Sequence, residues 1–157
     1  MSEEWVVEEL GPLDAMDIED LFRIVWPRAD EYPEEWRTKR MLSADEVVEE
    51  MEGGFRYFGI RLGERIVGVY KARIRREACH GEHQSIHPRC REAGLAKAMY
   101  DQFIDLAKKT NCRKNVVNIL IGHEMSERCV RRYSFQKVGE PFEQCEGMWV
   151  QRYEREV

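Results

Sequence analysis

ACHGEHQSIHPRCREAGLAKAMY, residues 78–100, admits two readings, and the choice between them decides the fold. The first half holds three of the chain's four histidines, His80, His83 and His87, between Cys79 and Cys90, all zinc donors by type. The second half, from His87 to Ala96, is a glycine-bearing turn between a strand pattern and a long amphipathic helix pattern. A turn in that position leaves backbone N–H groups unpaired at a helix N-terminus, and such a site binds phosphate without any special side chain. Gly94 lets a bulky anion approach the backbone. The metal reading fails on geometry. In a strand rising about 3.3 Å per residue, His80 and His83 point to opposite faces, and His83 and His87 share a face about 13 Å apart. Zinc needs donors about 2 Å from one ion. No metal is expected.

The flanking segments frame this turn. Upstream, FRYFGIRL and RIVGVYKARI are rich in aromatic and β-branched residues and are separated by Gly63-Glu64, which predicts an antiparallel hairpin, with EHQSI as a further strand. Trp5 to Leu10 reads as a first strand, closed by Gly11-Pro12. Ile18, Leu21, Phe22, Val25 and Trp26 mark an amphipathic helix stopped by Pro27. RADEYPEEWRTKR is a polar connection carrying aromatics, and Ser43 with Glu46 forms a capping-box pattern before a second helix that ends at Gly53-Gly54. Downstream, Leu95, Ala98, Met99, Phe103, Leu106 and Ala107 fall on one helical stripe. NVVNILI has the pattern of a strand buried on both faces, SERCVRRYS reads as a short helix, and FQKVGEPF with GMWVQRYE completes the sheet. No repeat, low-complexity tract or linker divides the chain, so residues 1–157 are expected to form a single α/β domain with a mixed sheet.

At 157 residues the chain can bury an adequate core without disulfides or metal. Five widely spaced cysteines with no Cys-x-x-Cys suggest reduced thiols. No long apolar span is present, and the start Met1-Ser2-Glu3-Glu4 is acidic rather than signal-like, so a cytoplasmic protein with no membrane partner is expected. The net charge of -5 hides an asymmetry: residues 1–53 hold 17 acidic and 5 basic side chains, and residues 54–157 hold 13 acidic and 20 basic. The acidic first third disfavours nucleic acid, while the basic remainder favours an anionic ligand.

The combination resembles the GNAT superfamily of acyl-CoA N-acyltransferases. Arg91-Glu92-Ala93-Gly94-Leu95-Ala96 is similar to that family's pyrophosphate loop, and Ile86-His87-Pro88 to the apolar-x-Pro ending its fourth strand. HEMSERCVRRYSFQKVGE is similar to a second signature, in which an Asn precedes a short helix, a Tyr and then Gly-Phe. The resemblance implies a central, mostly antiparallel sheet flanked by helices, whose fourth and fifth strands splay apart around acetyl-CoA, the co-substrate. It implies that backbone near Ile86, His87 and Pro88 pairs with pantetheine, and that N–H groups from Glu92 through Ala93, Gly94, Leu95 and Ala96 to Lys97 hold the pyrophosphate. Arg89, Arg91 and Lys97 would add charge.

Acetyl transfer to an amine needs a base for the amine and a proton for the departing thiolate. His80, Glu82, Gln84 and Ile86 share one strand parity, so Glu82, or else His80, is expected to face the opening as base. The second signature departs from the family: Ser134 takes the glycine's place, Val130 the tyrosine's, and His123 the asparagine's, while Asn118 stands where many members carry a Glu. Tyr133 is then the expected substitute acid, and Asn118 and His123 are expected to contact the cofactor. The family's acceptor region corresponds to Trp26–Trp36. There Trp26, Tyr32 and Trp36 would stack on an acceptor amine, and Asp30, Glu31, Glu34 and Glu35 would attract a cationic one. The expected function is N-acetylation of a primary amine of a small cationic molecule, a protein lysine or an N-terminus. The alternative is a noncatalytic acyl-CoA-binding or interaction module, motivated by the missing tyrosine; transfer onto aminoacyl-tRNA is disfavoured by the acidic acceptor side. A homodimer is possible.

Overall fold

In the computed structural model, which describes residues 4–157, seven strands form one sheet in the order β1-β2-β3-β4-β5-β7-β6. Met1, Ser2 and Glu3 of the acidic start lie outside the described residues. Along the chain come β1 (Glu8–Leu10), α1 (Ala15–Val25), α2 (Glu34–Arg40), α3 (Ala44–Glu52), β2 (Arg56–Leu62), β3 (Arg65–Arg75) and β4 (Ala78–Ile86). Then follow α4 (Leu95–Lys109), β5 (Lys114–Leu120), α5 (Glu124–Arg132), β6 (Gln136–Cys145) and β7 (Met148–Glu156). Every neighbouring pair is antiparallel except β4 and β5. This is the expected mixed sheet flanked by helices.

Local signals account for most boundaries. Ser43 Oγ accepts from the Glu46 N–H at 3.2 Å and the Glu46 carboxylate accepts from the Ser43 N–H at 3.0 Å, so the capping box starts α3 where its pattern predicts. β1 is shorter than the predicted run from Trp5, because Trp5 leaves the sheet and donates its indole N–H to the Ala93 carbonyl at 2.7 Å. α2 occupies part of the segment read as a connection. Trp36 is its one buried residue, so it has no apolar stripe to reveal it; Glu34 and Glu35 in its first turn and Lys39 and Arg40 in its last instead complement the helix dipole.

Two packed layers cover the sheet. On one face α4 packs Leu95, Met99, Phe103 and Ala107 against Cys79, Val117 and Ile119. Gly81 permits this close approach, since a Cβ there would lie 2.8 Å from the Phe103 ring. On the other face α1 and α3 pack Ile18, Leu21, Phe22 and Val47 against Tyr57, Ile66 and Val69.

β4 departs from the alternation expected of it. Lys71 pairs with Glu82 and Val69 with Ser85, so His83 and Gln84 together oppose Tyr70 in a bulge, with His83 at φ +61°. The shared face predicted for His80, Glu82, Gln84 and Ile86 therefore holds only up to Glu82. Beyond the bulge Ile86 packs into the α4 layer, while His83 and Ser85 turn toward α1. β4 and β5 pair only through Ala78↔Lys114, Cys79↔Asn115 and His80↔Val116. From Gly81 onward β4 stays with β3, whereas β5 stays with β7 from Lys114 to Leu120. The two strands must part, and a wedge opens in the middle of the sheet.

Candidate active site

The wedge ends at the turn before α4. His87 accepts from the Arg89 N–H through Nδ1 at 3.1 Å and Pro88 opens a short 3-10 turn, which fixes the chain's exit from β4. Gly94 lies at φ +90° as the N-cap of α4, a conformation only glycine adopts cheaply. The N–H groups of Gly94, Leu95, Ala96 and Lys97 find no acceptor among the described residues. Arg89 and Arg91 are exposed and form no ion pair there, while Lys97 shares its charge with Asp101 at 3.0 Å. Glu92 is exposed at φ +63°, and Ala93 offers its carbonyl to Trp5 rather than to the loop. Four free donors, two unpaired arginines and a glycine whose Cβ position meets nothing nearer than Trp5, at 3.9 Å, fit a pyrophosphate.

Glu82 stands on β4 just past the last β5 pair, its side chain 43% exposed, with Lys71 Nζ 3.7 Å away. Lys71 is buried and satisfied elsewhere, by both oxygens of Glu50 at 2.8 and 2.9 Å. His80 is half-buried on the same face, and burial together with the charge of Arg152 lowers its pKa, which keeps it neutral.

The segment from Trp26 to Trp36 roofs the wedge. Trp26 donates to Ser85 Oγ of β4 at 2.9 Å; Tyr32 lies 5.4 Å from Trp26, 6.1 Å from Trp36 and 5.5 Å from His123 at the start of α5. His123 Nε2 lies 3.9 Å from a Glu31 oxygen. The roof thus bridges the two separated strands, and burial raises the Tyr32 pKa to about 12. Of the four carboxylates expected to face an acceptor, Glu31 is the one drawn to the site, through its 3.9 Å approach to His123, and it stays 41% exposed. Asp30 is 92% exposed beside Arg37, and Glu34 and Glu35 lie on the open surface of α2.

Residues 17–135 match the model of the Acetyltransferase (GNAT) family. The chain belongs to that family. Similar solved structures include PaiA N-acetyltransferase from Thermoplasma acidophilum in complex with coenzyme A, with a TM-score of 0.79 at 13% identity, covering 99% of this chain and 100% of that one. A second is YncA, a putative acetyltransferase from Salmonella typhimurium with acetyl-CoA, with a TM-score of 0.76 at 13% identity, covering 98% and 94%. A third is a probable acetyltransferase from Staphylococcus epidermidis, with a TM-score of 0.81 at 11% identity, covering 98% and 99%. No curated protein matches the chain in sequence. As a GNAT acetyltransferase the protein uses acetyl-CoA as co-substrate.

The departures from the GNAT signature have structural expression. Ser134 adopts φ +66°, the left-handed conformation that suits glycine, and the Phe135 N–H closes the end of α5 on the Val130 carbonyl at 2.9 Å. Val130 is fully buried in the α4 layer. His123 caps α5, its Nδ1 accepting from the Ser126 N–H at 3.3 Å, the task an N-cap Asn performs. Asn118 is exposed on β5, between Val117 and Ile119, which face α4. Tyr133 stacks on Tyr100 at 5.3 Å and donates to Asp101 Oδ1 at 2.9 Å; burial and that carboxylate hold its proton firmly. The Tyr133 hydroxyl is thus held by an acceptor on α4.

Arg40, Glu50 and Lys71 adjoin this site and escaped the sequence reading, which weighed His83 only as a zinc donor. Lys71 left a signal, a cation inside an otherwise apolar strand run; Arg40 left another, standing four residues after Trp36. His83 is buried, stacked on Phe22 at 4.3 Å, with no side-chain partner at either nitrogen. Among the described residues no three His, Cys, Asp or Glu side chains gather as metal ligands.

Burial, then the charges of Arg40 and Lys71, hold the His83 pKa well below its ordinary 6.5. The unfolded chain therefore binds more protons below that value, so stability must fall as pH falls, by up to about 1.4 kcal/mol per unit for this group. Urea midpoints measured from about pH 7 down to about pH 5 should decline, and His83→Asn, which tolerates positive φ, should flatten the decline. An unchanged slope would assign the pH dependence to other groups.

Proposed function

We propose that this GNAT protein is an N-acetyltransferase that transfers the acetyl group of acetyl-CoA to a primary amine presented beneath the Trp26–Trp36 roof. One observation carries the reading: β4 and β5 part after His80, two residues before Glu82, on the strand that leads into the α4 turn with its unpaired N–H groups. When bound, acetyl-CoA supplies the activated thioester. The N–H groups of Gly94 to Lys97 hold its pyrophosphate, and the free β4 edge from Gly81 to Ile86 offers the pantetheine amides strand-like partners. Glu82 takes the amine proton, directly or through a water, as the new C–N bond replaces the C–S bond. The thiolate takes its proton from water, because position 130 carries no hydroxyl and a thiol with pKa near ~8.5 leaves tolerably unaided. Residues 1–157 act as one domain, since every strand belongs to one sheet. A reducing, cytoplasmic setting suits five cysteines that are all free. No helix among the described residues is long and apolar enough to cross a membrane.

Release of coenzyme A thiol from acetyl-CoA over a panel of amino acids, polyamines, aminoglycosides and peptides tests the proposal. Amine-dependent release together with the acetylated product by mass is the expected result. Acetyl-CoA binding with no release on any amine would favour the noncatalytic module.

A further inference from the structure

We infer that the acceptor amine carries a carboxylate and that Arg40 holds it, which makes the acceptor an amino-acid-like zwitterion; this rests on the acetyl-transfer reading above. Arg40 ends α2, half-buried, with its guanidinium 4.1 Å above the Trp36 ring. No carboxylate lies within 4.0 Å of it, and its side chain makes no hydrogen bond among the described residues. The other cations of this wall are engaged: Lys71 by Glu50, and Arg37 by the Pro27 carbonyl at 3.1 Å and Asp30 at 3.7 Å. A partly desolvated guanidinium without an anion is costly unless a ligand supplies one.

Its position selects the ligand's site. Arg40 rests on the Trp36 ring, Trp36 lies 6.1 Å from Tyr32, and Trp26 of the same segment donates to Ser85 of β4 at 2.9 Å, so the guanidinium belongs to the roof over β4. The neighbouring Trp36 indole N–H and Arg37 Nε also lack partners, and the His83 ring meets no side-chain partner, only the Arg40 backbone. Buried polar groups rarely stay unpaired in native proteins, and this cluster surrounds the one free cation of the wall.

The chemistry selects a carboxylate. The guanidinium lies over Trp36 with no acceptor at its N–H groups among the described residues, so its fork can take a bidentate partner. The single charge of Arg40 matches a carboxylate monoanion, whereas the second charge of a phosphate dianion would find Lys71 already held by Glu50 and Arg37 beside Asp30. The ammonium end of the same molecule is drawn to Glu82 and Glu31. The acidic segment thus attracts one end of the acceptor, and Arg40 fixes the other.

The test uses pairs of acceptors that differ only in the carboxylate, such as phenylalanine, methionine and glutamine against their primary amides. Turnover is measured for both members of each pair. Binding of the corresponding N-acetyl acid and N-acetyl amide is measured by ligand-observed NMR, which does not depend on turnover. The wild-type chain should prefer the acid about tenfold or more. Arg40→Gln should abolish that preference with acetyl-CoA affinity unchanged, and Arg40→Lys, which keeps the charge but loses the fork, should reduce it. If the Gln variant does not fold, the Lys variant reads the same ratio. Equal use of acid and amide by the wild type, or a preference that survives in both variants, would overturn the inference. Acid-selective, Arg40-dependent binding without any turnover would uphold the subsite and reject acetyl transfer. Turnover confined to amines lacking a carboxylate would do the reverse.

Discussion

Glu82→Gln should lower turnover about 10²-fold, within the range a positioned base contributes, while acetyl-CoA affinity stays unchanged. The carboxylate stands where β4 loses its β5 partner and is open to the wedge. Its removal should not disturb the fold, because Lys71 keeps both oxygens of Glu50 and is left with no orphaned charge. Steady-state kinetics with amine and acetyl-CoA varied separately supply the check. Full activity in Glu82→Gln and loss in His80→Asn would move the base to His80, whose lowered pKa keeps the imidazole free to accept a proton.

The second large effect belongs to the α4 turn. Gly94→Trp should weaken acetyl-CoA binding at least about 10²-fold, because two or more charge-assisted hydrogen bonds worth about 1.5–3 kcal/mol each would be lost. At φ +90° any L-residue adds roughly 1–2 kcal/mol of backbone strain, so strain alone has to be separated from blockade. Gly94→Ala does this: its Cβ meets only the Trp5 ring at 3.9 Å, so it bears the strain without filling the approach. Calorimetric titration should show the Ala variant binding within about tenfold of wild type and the Trp variant not binding. Comparable binding by both would remove the turn from the account.

The parts of the fold that were legible were those written in local chemistry. The Ser43–Glu46 capping box, the Gly63 hairpin and the Leu95–Ala107 stripe each mark an element that the structure places within a residue or two. Gly94 was legible because a glycine between a strand pattern and a helix pattern marks a tight turn, and the structure places it at φ +90°. The bulge at His83 was not. Nothing in EHQSI distinguishes a regular strand from one with an extra residue, and a single unpaired residue inverts every side chain beyond it. Arg40 was hidden for a similar reason: α2 owes its place to the contact of Trp36 with Tyr32 and to the neighbouring roof, which is tertiary information. The partner of Tyr133 was hidden too, because helical spacing places a residue but does not reveal that Asp101, on another helix, accepts its hydrogen bond.

The most direct test of the central claim is a crystal structure of the chain with acetyl-CoA bound. The account predicts the pyrophosphate within hydrogen-bonding distance of the N–H groups of Gly94, Leu95, Ala96 and Lys97, the pantetheine running along the β4 edge from Ile86 toward Gly81, and the thioester beside Glu82. Acetyl-CoA bound away from the β4–β5 wedge, or lying in it with the thioester remote from Glu82, would contradict it.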